Sequence, residues 1–443
     1  MVGSYVGMTP PPSAWSPDNS FQFKFRGMVT GTVFEQVGGL GPSPGQQSLW
    51  ATRTQPYNDR VSWGGDVRQT RLNFAVKGPQ VLGATPLAVT EVDFFGGLGA
   101  GNYGYESIVP RLRLAFVQLE WPSMTRFVVG QMNTLSFWVV PESVAHVAFP
   151  LGFGSGLVGW RYPGVWFFQT FCFDSAKNNT LEFAASATRT GWTDAPAAYG
   201  DNTPNAATNP YYLGLGDASG IPQLEARLVL NLKSPGFGFT FGLLGHYDWK
   251  DLSGVGRGVG VAPPGCSATS CTGGGTTQRY NNINGEMFET YARFVIGPVT
   301  AWGGYNRSRA EGGIIASVLQ YGDILSYGWW AQLGLNLTRE LSIWGWAGEE
   351  NPDDAMVRRW LAKPAITGGP ASGTPTVAAN GIVQNNTYAA MIRYMDNNYA
   401  MGLEWVNFYT QYTAYPATAG VPPIPYANSH AYQIMFSVSY YMN

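Results

Sequence analysis

Between Phe21 and Tyr441 the chain is a succession of segments in which apolar and polar residues alternate with period two. In the first, Phe21, Phe23, Phe25, Gly27, Val29, Gly31 and Val33 fall on one face. Gln22, Lys24, Arg26, Thr30 and Thr32 fall on the other, with Met28 the exception. Successive side chains of a strand point to opposite sides, so this segment is apolar on one side and charged on the other. The pattern returns over 222–233, where Leu224, Ala226, Leu228, Leu230 and Leu232 oppose Gln223, Glu225, Arg227, Asn231 and Lys233. Over 237–250, Phe237, Phe239, Phe241, Leu243, Tyr247 and Trp249 oppose Thr240, His246, Asp248 and Lys250. Near the end, Tyr432, Ile434, Phe436, Val438 and Tyr440 oppose Gln433, Ser437 and Ser439.

A soluble sandwich alternates too, but two features point elsewhere. The segments approach the ~9–11 residues that a tilted membrane strand needs, where globular strands average about 5–6. The connections also alternate in length. Lys233-Ser234-Pro235-Gly236, Gly297-Pro298, Thr338-Arg339-Glu340 and Asp396-Asn397-Asn398 are short, whereas eight long ones cover roughly 34–65, 97–110, 134–164, 190–221, 250–284, 307–323, 350–386 and 412–428. Short turns on one side and long loops on the other mark an outer-membrane barrel. In hydrocarbon every backbone N–H and C=O must be paired, which an open sheet edge forbids. The pattern therefore predicts an all-β fold: a transmembrane antiparallel β-barrel of about sixteen strands, with short periplasmic turns and long extracellular loops. A barrel of that size is too wide to be filled by its own wall side chains, so a water channel is expected.

Composition removes the competing classes. Of 443 residues, 26 are Lys or Arg and 28 Asp or Glu, a net charge of −2. There is no excess positive charge to neutralise nucleic-acid phosphates. Aromatics at 14% exclude disorder, and charged residues at 12% are about half the ~25% of a soluble domain. The charge-free stretch that could be considered as a membrane helix, 143–160, contains Pro150 and four glycines and is a poor one. Residues 1–20 are polar and Pro-rich, without the apolar core of a signal peptide. They are expected to be a periplasmic N-terminal segment of a mature chain whose signal has been removed, with 21–443 forming the barrel.

The inward faces carry the candidate chemistry. The first strand gives Lys24 and Arg26. The next points Gln69, Arg71, Asn73 and Lys77 inward, if Leu72, Phe74 and Val76 face lipid. The third gives Glu91 and Asp93, and the fourth Arg111 and Arg113, opposed by Leu112, Leu114 and Phe116. Later strands add Glu182, Glu225, Arg227, Asp248, Arg293, Arg393 and Glu404. Facing rows of cations and acids set a field across a pore and select ions by sign. With nine cations against six acids in this inner set, a mild preference for anions is expected. The bland alternative is that these charges pair and merely stiffen the wall. The third long loop, 133–164, is apolar for a solvent-exposed segment: Phe137, Trp138, Val139, Val140, Val144, Phe149, Leu151 and Phe153. It is expected to fold into the lumen and narrow it, with Glu142 and His146 near the opening. Packing over the rim or against a neighbouring subunit is the alternative.

Trp121, Trp160, Trp249, Trp344, Trp346, Trp405, Tyr409, Tyr440 and Tyr441 lie near strand ends, where barrels wear aromatic girdles. Trp302, Trp330 and Trp344 carry a second reading, as a luminal platform for sugars. Cys266 and Cys271 sit in a Gly/Ser/Thr loop and read as a loop-tip disulfide of an exported protein, and Cys172 as a small wall residue. No metal-ligand or haem-attachment spacing accompanies the cysteines, so no cofactor is expected. The three histidines, His146, His246 and His430, lack a recognisable catalytic motif, which argues against an outer-membrane hydrolase. A soluble carbohydrate-binding protein would have shorter strands. A structural barrel sheathing a partner complex would share this pattern.

Several words of the sequence resemble one family. Arg68-Gln69-Thr70-Arg71-Leu72, Val92-Asp93-Phe94-Phe95-Gly96, Pro110-Arg111-Leu112-Arg113-Leu114-Ala115-Phe116-Val117, Val129-Gly130-Gln131-Met132-Asn133 and Pro141-Glu142-Ser143 are similar, in order and spacing, to the front half of the DcaP-like trimeric outer-membrane porins. Gly402-Leu403-Glu404-Trp405 resembles a late strand of that family. The likeness is clearest over about 65–165. It implies a homotrimer of sixteen-stranded barrels in the bacterial outer membrane, with a constricting third loop, passing small anionic solutes such as carboxylates. Two departures stand out: a short Pro-rich start (Pro10, Pro11, Pro12, Pro17) in place of a helical extension, and Tyr440-Tyr441-Met442-Asn443 in place of a terminal aromatic.

Overall fold

The computed structural model describes residues 21–42, 45–53, 60–96, 108–190, 219–250, 283–320, 322–361, 380–414 and 425–442. Strand β1 is Gln22–Val37. Strand β2 comes in two halves, Val61–Asp66 and Arg71–Lys77. Then follow β3 (Thr85–Asp93), β4 (Arg111–Glu120), β5 (Thr125–Asn133), β6 (Arg161–Cys172), β7 (Thr180–Thr188) and β8 (Gln223–Ser234). The second half has β9 (Phe237–Lys250), β10 (Ile283–Ile296), β11 (Val299–Arg309), β12 (Leu325–Asn336), β13 (Leu341–Pro352), β14 (Ile382–Asp396), β15 (Tyr399–Tyr412) and β16 (Ala427–Met442). Every neighbour pair is antiparallel, and β1 pairs with β16 from Gly27↔Met442 to Val37↔Tyr432. The sheet closes on itself as a sixteen-stranded barrel, and closure leaves no edge. No helix among the described residues is long and apolar enough to cross a membrane. The helix α1 (Asp354–Leu361) belongs to a long connection.

Turns and faces follow local chemistry. The tight turns at the short-turn end place Gly236, Gly297 and Asn397 at positive φ, the backbone that two-residue hairpins require and that Gly and Asn tolerate. The predicted outward faces of β1, β8, β9 and β16 are outward in the structure. Phe23, Val29, Leu224, Leu228, Leu243, Ile434, Phe436 and Tyr440 are exposed, while Thr30, Glu225, Arg227, His246, Gln433 and Ser437 are buried inside.

Two irregularities redirect side chains. The ladder between β1 and β2 breaks at 67–70, running Thr32↔Asp66 above and Met28↔Arg71 below. That break lets Gln69 turn into the barrel. A β-bulge lies between β3 and β4, where Glu91 opposes Leu114 but Val92 opposes Leu112. The extra residue, Arg113, shifts the phase of β4. Leu112 faces out, yet Leu114 and Phe116 are buried inside, contrary to the strict alternation that sets them against lipid. One inserted residue is enough to exchange the two faces of a strand.

Candidate functional site

The connection between β5 and β6, residues 134–160, lies within the barrel. Its apolar side chains Phe137, Val139, Val144, Ala148, Phe149, Leu151, Phe153 and Leu157 form one cluster with inward residues of the far wall, among them Trp302, Trp330, Trp344, Trp346, Met391, Val406, Phe408 and Met435. Hydrogen bonds tie it down on several sides. Gln69 Nε2 donates to the Val144 carbonyl at 3.4 Å, and its Oε1 accepts from Val147 N at 3.1 Å. Arg71 donates to the Val147 carbonyl at 3.3 Å. Glu404 on β15 accepts from Ser143 Oγ at 2.7 Å, accepts from Val144 N, and meets His146 Nδ1 at 2.7 Å. Gln433 on β16 holds the other nitrogen of that ring. Gln332 on β12 both accepts from and donates to the Glu142 backbone at 2.7 Å. Asn306 on β11 reaches the Gly156 carbonyl, and Asn385 on β14 reaches that of Gly154.

On the wall of β2–β6 the lining is ionic. Arg113 donates to Glu91 at 2.8 Å and to Asp93 at 2.7 Å. Arg111 donates to Asp93 at 2.7 Å, and Arg71 lies 3.4 Å from Glu91. All but Arg111 are buried; its side chain keeps 21% exposure towards the mouth. Arg161 opens β6 beside them, buried, and has no acidic partner among the described residues. Arg161 and Arg111 both stack on Trp160, at 4.4 and 5.7 Å. Arg111 and Arg68 share Phe95, at 5.6 and 4.7 Å. Four guanidiniums (Arg71, Arg111, Arg113, Arg161) thus meet two carboxylates, an excess of positive charge. Cation–π contacts of about 0.5–2 kcal/mol each hold the planes apart and oriented.

The other inward candidates are distributed. Lys24 and Arg26 stand half-buried at the short-turn end of β1. Glu142 pairs with Arg393 at 2.6 Å, bridging the inner loop to β14, and Arg393 covers Trp344. Arg227 binds Glu182 at 2.9 Å and the Leu135 carbonyl at 3.0 Å, under the Trp138 ring. Arg293 lies over Trp302 at 5.1 Å. Sequence reasoning passed over Arg161 and Gln332, which sit at a strand end and in a mostly apolar strand.

The aromatic expectations need correction. Trp344 and Trp346 are buried inside against the inner loop, Trp160 closes that loop and packs on its cluster, and Tyr441 is buried with Met28 and Ala400. None of the four belongs to an outer girdle. Trp405 and Tyr440 do face outward, joined by Trp63, Trp329 and Tyr388. Trp302, Trp330 and Trp344 face the lumen as the second reading has it, but the inner loop covers them. Cys172 ends β6, exposed, with its Sγ 3.3 Å from Met124 Sδ. Cys266, Cys271 and residues 1–20 lie outside the described residues.

No protein-family model and no curated protein sequence matches the chain. Solved structures do. The outer membrane channel DcaP of Acinetobacter baumannii is similar over 97% of this chain and 99% of its own, at 11% identity and a TM-score of 0.59. An anion-selective porin from Comamonas acidovorans matches over 96% and 100%, at 9% identity and 0.53. The trimer form of OmpT, an outer membrane protein of Vibrio cholerae, matches over 96% and 100%, at 11% identity and 0.50. The likeness to DcaP-type porins read from 65–165 therefore extends, as fold, over nearly the whole chain, which has the sixteen-stranded barrel fold of these outer-membrane porins.

Proposed function

We propose that the protein is a passive diffusion channel of the bacterial outer membrane for small hydrophilic solutes, with a preference for anions such as carboxylates. The observation that carries this reading is the charge excess at the β2–β6 wall, where Arg161 adds a cation that forms no ion pair among the described residues. Inside a low-dielectric constriction a fixed positive excess raises the local concentration of anions and repels cations. Loop 134–160 narrows the lumen, reaching the arginines where the Val147 carbonyl accepts from Arg71 at 3.3 Å. That the Comamonas neighbour is named anion-selective and the Acinetobacter neighbour a channel supports the reading. The Vibrio neighbour's trimer form supports a homotrimer.

Purified protein in planar bilayers tests it. In a potassium chloride gradient the reversal potential is expected on the anion side. Arg161→Gln, which strands no carboxylate, is expected to move it towards zero, and Arg71→Glu or Arg113→Glu further. Unchanged reversal potentials in all three variants would refute the assignment.

A further inference from the structure

A second buried cluster lies along β8 and β9, away from the β2–β6 arginines that carry the proposed selectivity. His246 and Asp248 project inward from β9, and Glu311 comes from the connection between β11 and β12. All three side chains are fully buried. Glu225, directly across the ladder on β8, meets His246 Nδ1 at 3.1 Å. The same carboxylate accepts from Leu135 N and from Ser136 Oγ, so it is fixed as an acceptor. The ring proton is therefore drawn to Nδ1, and the lone pair of Nε2 points the other way. What it faces is Glu311 Oε2 at 3.3 Å and Asp248 Oδ2 at 3.6 Å. Among the described residues, Nε2 has no hydrogen-bond partner, and one oxygen of Glu311 is likewise buried without one.

Three electron-pair donors converging in a dry site repel one another unless a cation lies between them. We propose that His246, Asp248 and Glu311 bind a divalent transition ion of the zinc class. Donor distances of about 2.0–2.1 Å in a tetrahedral zinc site put neighbouring donor atoms roughly 3.3–3.4 Å apart, close to the spacing seen here. The surroundings are those of such a site. Ligating histidines hand their other N–H to a carboxylate, the position of Glu225, and ligating carboxylates are themselves hydrogen-bonded. Lys250 supplies that second function. Its ammonium binds the other oxygen of Asp248, lies 3.7 Å from Glu311 Oε2, and donates to the Ala310 carbonyl at 2.7 Å. Charge agrees as well. Among the described residues, Glu225, Asp248 and Glu311 surround His246 and Lys250 is the cation that touches them, a local excess of negative charge that a divalent ion offsets. Gly285, opposite Asp248 in the ladder, keeps the space open, since a Cβ there would strike both carboxylates and the ammonium.

Binding here would brace the pore loop. The Ile314 carbonyl, on the Glu311 segment, accepts from Gly159 N of the inner loop at 2.6 Å. The rival arrangement is an imidazolium at His246 held by the same carboxylates, which takes no metal.

The test uses the full-length barrel, purified in detergent, stripped with chelator, reloaded with zinc and dialysed. Elemental analysis is expected to find about one zinc per chain. His246→Gln and Glu311→Gln are expected to retain at least tenfold less while keeping heat-resistant, folded migration on gels. Cobalt loaded into the unmutated protein is expected to give the intense visible absorption of a four-coordinate site, a readout independent of how the variants fold. Zinc at background in the folded unmutated barrel would overturn the proposal. So would zinc kept undiminished by a folded His246→Gln barrel.

Discussion

The two walls that grip the inner loop hold it by different physics. On β2–β6 the contact is ionic and polar: Arg71 and Gln69 bind the backbone of 144–147, and the arginines share Glu91 and Asp93. On β11–β15 hydrogen bonds with Asn306, Gln332, Asn385 and Glu404 are joined by a broad apolar contact, in which Trp302, Trp330, Trp344 and Trp346 pack on Phe153, Leu157 and their neighbours. The first wall supplies direction and charge, and its geometry is specified bond by bond. The second supplies area, at roughly 25 cal/mol per Å² of apolar surface removed from water. Selectivity should therefore reside mainly in the first wall and pore width mainly in the second, and substitutions can separate the two.

The largest expected effect is on the apolar side. Trp346→Ala removes a buried indole that the loop packs against, a change that costs about 3–5 kcal/mol in tight cores. Conductance in bilayers should rise several-fold with the reversal potential unchanged; altered ion selectivity would dissolve the division between the walls. A smaller effect is expected from Gly156→Ala. Gly156 has φ +99, and a Cβ would meet the backbone of Trp329, so strain of about 1–3 kcal/mol would lift the loop from β12. Faster protease cleavage within 134–160, assayed on intact barrels, checks it, and unaltered cleavage would show that this contact does not hold the loop. The smallest is Glu142→Gln. Its pair with Arg393 is mostly buried, the side chains keeping 15% and 11% exposure, and removing its charge costs about 1–2 kcal/mol. Stability in a urea titration should fall slightly, and the uncovered Arg393 should deepen anion preference slightly. Unchanged selectivity would place Arg393 outside the conducting path.

How far the sequence reveals this arrangement differs between the same two walls. Where lipid lies outside and polar groups inside, as on β1, β8, β9 and β16, hydropathy alternates and the orientation of each side chain can be read directly. On β11–β15 it cannot, because the inner loop makes the inside apolar too. Trp344 and Trp346 then alternate with Ile343 and Gly345 without a polar partner face, and they pass for interface aromatics. The arginine group is legible as residue types, but the bulge at Arg113 is not, so Leu114 and Phe116 are misplaced by one step. Arg161 escapes because it opens its strand, outside any periodic stretch. The grouping of His246 and Asp248 with Glu311 needs the third dimension, for the connection that carries Glu311 returns to β9 only when the barrel has closed.

The pairing of β1 with β16 bears on how the molecule is made. Residues at the two extremes of the barrel sequence are partners, from Gly27 with Met442 to Val37 with Tyr432. Such a seam cannot form while the polypeptide is still being synthesised, since its last strand is the final one to leave the ribosome. Until then both flanking strands carry bare amides and carbonyls that hydrocarbon will not accept. Escort by chaperones and insertion as a nearly complete cylinder follow from that single ladder, and a chain cut short before Ala427 would be left for proteolysis.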